Sequence, residues 1–524
     1  MPQPNCQPPG QRLLLGGCAA CGLAALGLLL PDWLPLGIPG EWVWPRLAAP
    51  ADVPEWIERS LPAFIIGTLL LGIAAAGDRV CSRLRPWQRW LLLPLLATGA
   101  AAWQAAAISA TPSPHRELRW LWVNYDPWAT GYFLDAVADT RSIPEFLAGC
   151  EAEAAAGDVL HRGTHPPGLP LLNRLLLLGT RNSPDMSRAI VSFADGSALQ
   201  YFRSLEQQAA LAPRLTEPEL AALVLLSAAA FCCCACLPVC TLWLLEPLTG
   251  YRSAWRAAVL TAGLPAVSVF LPRSDCCYAT TGGLLLLFTG RGLALKGRWQ
   301  QAICGALAGT WAFACLQTSL AHLPVLAAAG LWTLLELLRT SGVTWRDTLR
   351  FWAGFTIALV AALFAFGVLT SCRPWVVWPQ NLINHAAFYS EYPRTWWKWL
   401  LVNPLELAMA AGAPLALAAA AGLWQTLRRL FLRLPADPHA PLATALLIVW
   451  LLLLLSGKNQ GEAARLWTFI TPWAAIAALP LLAPGNSVTG GQTGSSRGWW
   501  LLFTAVQLIV CALTTGRCSG YLQL

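Results

Sequence analysis

An all-α, polytopic transmembrane helical bundle is the fold class this sequence predicts, and three observations predict it. Hydrophobic residues make up 56% of the 524 and charged residues 12%, too few charges to cover a surface that faces water on all sides. Apolar runs of about 17 to 25 residues, the length that crosses a bilayer as a helix, recur along the whole chain. Strict alternation of apolar and polar residues is absent, which removes a membrane barrel, and in lipid every backbone group needs an internal partner, so the runs are helical.

In chain order, spans are expected near 12–30, 61–77, 90–110, 219–245, 254–271, 276–290, 301–318, 321–338, 351–370, 404–423, 441–456, 467–484 and 499–516, about 11 to 13 in all. Only Arg12 precedes the first run and further spans follow, so it reads as an uncleaved first helix rather than a secretory signal. Five cysteines from Cys232 to Cys240 lie inside one span. Small apolar thiols pack helices well, and five on one span face many directions around its axis, so no zinc site is read there. Cys150, Cys276, Cys277 and Cys372 fall outside or at the ends of spans, where a disulfide is open but unassigned. No internal repeat stands out, and 484–498, rich in Gly, Ser and Thr, reads as a flexible connector.

Lys and Arg set the orientation. Basic loops hold Arg79, Arg83, Arg85 and Arg89; Arg252 and Arg256; Arg291, Lys296 and Arg298; Arg339, Arg346 and Arg350; and Arg428, Arg429 and Arg433. All fall on one side if the N-terminus is cytoplasmic, so 111–218, 371–403 and 457–466 are expected outside. The net charge of +8 follows from this bias and from membrane lipids with anionic headgroups as partners. Nucleic acid is not expected as a partner, because the basic residues are scattered over loops rather than gathered on one face.

The long segment 111–218 is expected to carry short amphipathic surface helices rather than a separate soluble domain. Ser142-Ile143-Pro144-Glu145 has the form of a capping box with Pro in the first turn, and Thr216-Glu217-Pro218-Glu219 repeats the signal at the head of the fourth span. Pro166 to Leu178 reads as a short apolar helix lying along the membrane surface. Asp126, between Tyr125 and Trp128, fits two roles that are compatible: a helix-starting Asp-Pro pair, or a general base whose partial burial raises its pKa. Asp135 and Asp139, one turn apart, are expected on a solvated face with Tyr132. His165 precedes two prolines, so a stiff turn holds an imidazole that can donate to a hydroxyl or anionic ligand.

With these residues in place, the chain resembles the GT-C superfamily of membrane glycosyltransferases, and is similar to its protein O-mannosyltransferase and aminoarabinose transferase branch. In that branch an acidic residue follows a span in the first large outer loop, surface helices come next, and a His-Pro-Pro segment leads toward the following span. Asp126 and His165-Pro166-Pro167-Gly168 stand in those places, and Asp275 in Pro272-Arg273-Ser274-Asp275 matches an acid at the outer end of the fifth span. The resemblance covers residues 90–350 as a core that includes loop 111–218. Residues 1–89 are additional N-terminal transmembrane helices, and 351–524 are C-terminal transmembrane helices with outer loops 371–403 and 457–466. Pro127 stands where a second acid is common, which removes a paired carboxylate.

The resemblance implies transfer of a sugar from a polyprenyl-phosphate donor to an acceptor hydroxyl on the extracytoplasmic face. The lipid-linked sugar is a substrate, so no cofactor is expected, and no carboxylate cluster has the spacing for a metal. Asp126 is the expected base. The leaving phosphate needs cations, for which Lys458 and Arg465 are the candidates. Glu462, three residues before Arg465, is placed to pair with its guanidinium. Tyr392 and Arg394 are further candidates for sugar or headgroup contact in a loop rich in Trp and Tyr, although such residues also form ordinary interface belts. The competing readings are a transporter or lipid flippase, which would need more ionisable groups near the midplane, and a non-catalytic scaffold, which would tolerate substitution at Asp126 and Arg465.

Overall fold

The computed structural model describes residues 10–29, 31–80, 84–160, 162–209, 213–339, 343–435, 437–483 and 493–521. The connector expected at 484–498 falls largely outside the described residues. The chain is an all-α, multi-pass membrane bundle. Among the described residues, eight helices are long and apolar enough to cross a membrane: Arg12–Leu29, Val53–Val80, Trp87–Ile108, Glu217–Thr249, Tyr251–Phe270, Leu320–Leu338, Trp345–Thr370 and Gly498–Arg517. Tyr251–Phe270 is wholly buried in protein, with Trp255, Leu260 and Phe270 in the main apolar core.

The other expected spans differ from plain membrane helices. Cys277–Ala294 and Arg298–Thr318 are single helices of 18 and 21 residues but are not among the eight. Ala440–Ser456 is apolar and stops at 17 residues. Segment 467–484 is broken into Thr468–Ile470, Trp473–Ala477 and Leu479–Leu482, because Pro472 and Pro480 each remove a backbone donor and restrict the preceding turn. The span expected at 404–423 is two helices, Trp396–Ala411 and Ala413–Phe431, bent by 112° at Gly412, whose φ of +88° suits glycine.

Breaks in lipid are tolerated when the freed backbone groups find protein partners. Gln507 supplies them here. Its Nε2 donates to the carbonyls of Ala411 at 2.8 Å and Gly263 at 2.9 Å, and its Oε1 accepts from the N of Leu415 at 3.3 Å. Gln507→Leu strands two buried carbonyls and is expected to destabilise the bundle by about 1–3 kcal/mol for each. A lowered midpoint of thermal aggregation in detergent would show it; an unchanged midpoint would contradict the role.

The segments 111–218, 371–403 and 457–466 meet at one end of the bundle, as their common sidedness requires. Ile143–Ala155 starts on the expected capping box, with Ser142 N donating to Glu145 Oε2 at 2.8 Å, and Thr216 N makes the same bond to Glu219 Oε2 at 2.8 Å. The short apolar helix is present as Gly168–Arg181. At the same end a two-stranded hairpin, Gly37–Ile38 with Trp42–Val43, presents Glu41. Its carboxylate accepts from Thr395 N (2.8 Å), Thr395 Oγ1 (2.7 Å), Trp399 Nε1 (2.8 Å) and Lys398 Nζ (3.2 Å). Desolvation alone would raise the carboxyl, but these four donors override it and hold it at about 2. Stability from Glu41 is therefore present above its unfolded pKa and lost as pH falls toward 2. Glu41→Gln is expected to flatten the acid side of a stability-pH profile, whereas an unaltered acid limb would contradict the account.

Candidate functional site

The site is built on the helix His115–Tyr125. Arg119 on its buried face donates to the carbonyls of Ser268, Val269 and Leu271 at 2.9, 2.5 and 3.2 Å, groups that the end of Tyr251–Phe270 would otherwise leave unpaired. Asn124 Nδ2 donates to Ser227 Oγ at 3.0 Å. Helix His115–Tyr125 is thus clamped to two spans, which fixes the residue that follows it.

That residue is Asp126, 8% exposed. It ends a helix rather than starting one, because Pro127 follows and the chain turns back through Gly131, at φ +71°, before Tyr132–Ala138 begins. Asp126 Oδ1 accepts from Trp128 N at 3.1 Å. Burial pushes the carboxyl above its ordinary range, against the pull of that hydrogen bond and of the Arg273 charge.

Arg273, just past the end of Tyr251–Phe270, is 5% exposed. Its buried Nε has no hydrogen-bond partner among the described residues. Burial and the neighbouring Arg465 lower its guanidinium to about 10, opposed by Asp275, Glu462 and Asp126. Arg465 Nη2 lies 2.8 Å from Glu462 Oε2, and its Nε 3.8 Å from Asp275 Oδ2. Burial works against the charge of Arg465, but those two carboxylates prevail and raise its pKa. Glu462 is held on its other side by Arg394 Nη2 at 3.2 Å. Three carboxylates and three guanidinium groups therefore interleave in one buried cluster.

Arg394 serves as an anchor. It lies over the rings of Trp42, Phe388 and Trp399 at 5.4, 5.5 and 5.9 Å and also donates to the carbonyl of Gln460. The loop it grips turns on positive φ at Gly457, Gly461 and Glu462 (63, 84 and 58°), the last a strained value for a residue with a side chain. Asn403 bridges the loop, donating to Asn459 O at 2.7 Å and accepting from Gly461 N at 3.2 Å. Tyr389 does likewise, with its hydroxyl donating to Lys458 O at 2.9 Å and accepting from Gln460 N at 2.8 Å. A Cβ on Gly461 would meet Arg394 Nη1 at 2.6 Å and the Trp399 ring at 3.0 Å. Gly461→Ala is expected to displace Arg394 and lower activity while leaving the bundle folded, as activity and melting measured on one preparation would show.

The structure brings Asp126, Asp275, Arg394, Glu462 and Arg465 together. His165 borders them: its ring meets Tyr132 edge-on at 5.8 Å, and Tyr132 is buried where Asp275 and Arg465 both act on its hydroxyl. Lys458 and Tyr392 lie apart, Lys458 with Nζ 3.4 Å from Leu382 O and Tyr392 exposed and stacked on Phe388 at 4.8 Å. Asp135, as expected, keeps a solvated face and pairs there with Arg162, whereas Asp139 is more covered and pairs with Arg141 and Arg174. Arg273, Asn403 and Tyr389 were not singled out as site residues by the sequence, and Tyr132 was read only as sharing a face with Asp135 and Asp139. For Arg273 a signal existed, an arginine directly after a wholly apolar run at the end opposite the basic loops.

Beside the cluster is a cavity of about 230 Å³. Asn124, Thr130, Tyr132, Ser274 and Tyr278 give it a polar side, and Leu169, Leu172, Leu226 and Ala230 an apolar one. Such a cavity suits a molecule with a polar head and an apolar tail. Among the described residues no group of three or more His, Cys, Asp or Glu could hold a metal ion. Comparison with protein-family models, with curated proteins and with solved structures finds no match for this chain.

Proposed function

We propose that this membrane protein is a glycosyltransferase of the GT-C kind, which moves a sugar from a polyprenyl-phosphate donor to an acceptor hydroxyl. The observation that carries this reading is the buried Arg273 guanidinium, its Nε without a hydrogen-bond partner among the described residues, beside Arg465 and a buried carboxylate. A buried cation that is not fully hydrogen-bonded costs several kcal/mol, a cost that an anionic ligand would offset. In this reading Asp126 takes the acceptor proton, the new bond forms at the sugar's anomeric carbon, and the old bond breaks with its electron pair leaving on phosphate. Arg273 and Arg465 stabilise the charge that develops there. Asp275 and Glu462 hold Arg465 in place, and Tyr132 with His165 forms the wall next to the sugar.

A single base implies direct displacement, so the product carries inverted configuration at the anomeric carbon. Retention in the product, read by NMR coupling constants, would overturn that step. The basic loops stand at the opposite end of the bundle, where Arg252 and Arg256 meet Asp78. That bias supports a reading with the site on the extracytoplasmic face of a cell or inner membrane and the N-terminus cytoplasmic, where a cell-envelope acceptor could be met. The test is transfer or release of sugar from a panel of polyprenyl-phosphate sugars by the purified protein in lipid. Turnover supports the reading; none across a broad panel, with the protein folded, shifts the weight to a flippase, for which a lipid-flipping assay is the measurement.

A further inference from the structure

Two cysteines 222 positions apart in the chain meet beneath the surface helices. Cys150, on Ile143–Ala155, and Cys372, just before Pro374–Glu391, are both buried, at 5% and 0% exposure, in one apolar cluster with Phe146, Leu147 and Val377. Both are thiols in this structure; Cys150 Sγ donates to Phe146 O at 3.5 Å, and the Cys372 thiol is near enough to raise its pKa. The residues that follow each of them are also paired. Arg373 donates to Glu151 from its backbone N at 2.9 Å, from Nε at 2.7 Å and from Nη2 at 2.6 Å. One turn beyond Cys150, Ala154 O accepts at 2.7 Å from Nδ2 of Asn384, which lies about three turns along Pro374–Glu391. The two segments are therefore held together by polar contacts that do not involve the sulfurs.

We propose that Cys150 and Cys372 form a disulfide in the mature protein. The juxtaposition meets the main geometric requirement, two cysteines on backbones already brought together. Two thiols give up two protons and two electrons to a disulfide-bearing oxidant, which leaves as two thiols after a mixed-disulfide step. Burial and the neighbouring thiol hold the Cys150 thiol well above its ordinary range, and a buried thiol exchanges slowly, so the bond forms while Ile143–Ala155 is docking. It fastens the surface helices to Pro374–Glu391, the helix whose Tyr389 holds the loop of Glu462 and Arg465. It also places this end of the bundle in an oxidising compartment, an assignment that stands whether or not the protein is a glycosyltransferase.

The test uses the full chain in its membranes, collected into N-ethylmaleimide, denatured with the reagent present, digested and analysed by mass spectrometry without reduction. The expected result is a peptide pair joined through Cys150 and Cys372 that separates on adding reductant, with neither cysteine alkylated beforehand. Single variants Cys150→Ser and Cys372→Ser should each make the remaining partner alkylatable without reduction. Alkylation of both cysteines in the unreduced wild type, or either one joined to a different cysteine, would overturn the proposal.

Discussion

Asp126→Asn is expected to lower sugar transfer by about 10²- to 10⁴-fold, the range for loss of a positioned base. The substitution keeps the shape, and an amide oxygen can still accept from Trp128 N, so the fold should persist. The pH profile gives the sharper test. Burial raises the Asp126 carboxyl above its ordinary range, and only the ionised form accepts a proton. The acid limb of kcat should therefore lie above the ordinary carboxylate range and rise with pH through the folded pKa. Linkage fixes the sign for stability. The folded chain keeps this proton at pH values where the unfolded chain has lost it, so the contribution of the group is most favourable below the unfolded pKa and declines as pH rises through the folded one. The Asn variant should lose both dependences. Wild-type activity from Asp126→Asn would remove this residue from the chemistry.

Arg465→Ala should cost about 10²- to 10³-fold in kcat, as removal of one group aimed at developing charge typically does. The fold is expected to survive, because Glu462 remains paired with Arg394. Arg465→Lys should recover only part of the loss, since an ammonium is a point charge and cannot face Glu462 and Asp275 with the two arms of a planar fork. Steady-state kinetics of the two variants, with donor varied, separates the cases: a fall in kcat restored in part by Lys fits a cation acting on the leaving group. Equal kinetics for all three proteins would make Arg465 an ordinary helix-end residue.

The all-α bundle was legible because it rests on run length and composition, which single-residue chemistry does not disturb. Where helices break was less legible. Gly412 and Pro472 sit inside runs that read as continuous, and the bend at Gly412 is tolerated because Gln507, nearly a hundred residues later, satisfies the freed carbonyl. In the site, the Glu462 to Arg465 pair was readable from its spacing of three. Asp275 and Arg394 were readable only as isolated charges, because their meeting depends on how distant spans pack. Arg273 was hidden by its own motif, in which the carboxylate drew attention and the neighbouring cation did not. Lys458 shows the converse: it lies in the same loop as Glu462 and Arg465, yet its Nζ sits 3.4 Å from the carbonyl of Leu382.

Glu41 reaches Trp399 across 358 positions, and Arg517 reaches the carbonyl of Leu47 across 470. Ribosomes deliver a chain in order, so the hairpin that braces Arg394 is made early and must wait, unpartnered, while most of the protein is synthesised and inserted. Closure over such separations is entropically expensive and comes late. A nascent chain arrested before residue 395 therefore has Asp126 and Arg273 in place and no loop to complete them, so shortened translation products should be inert however well their early spans insert.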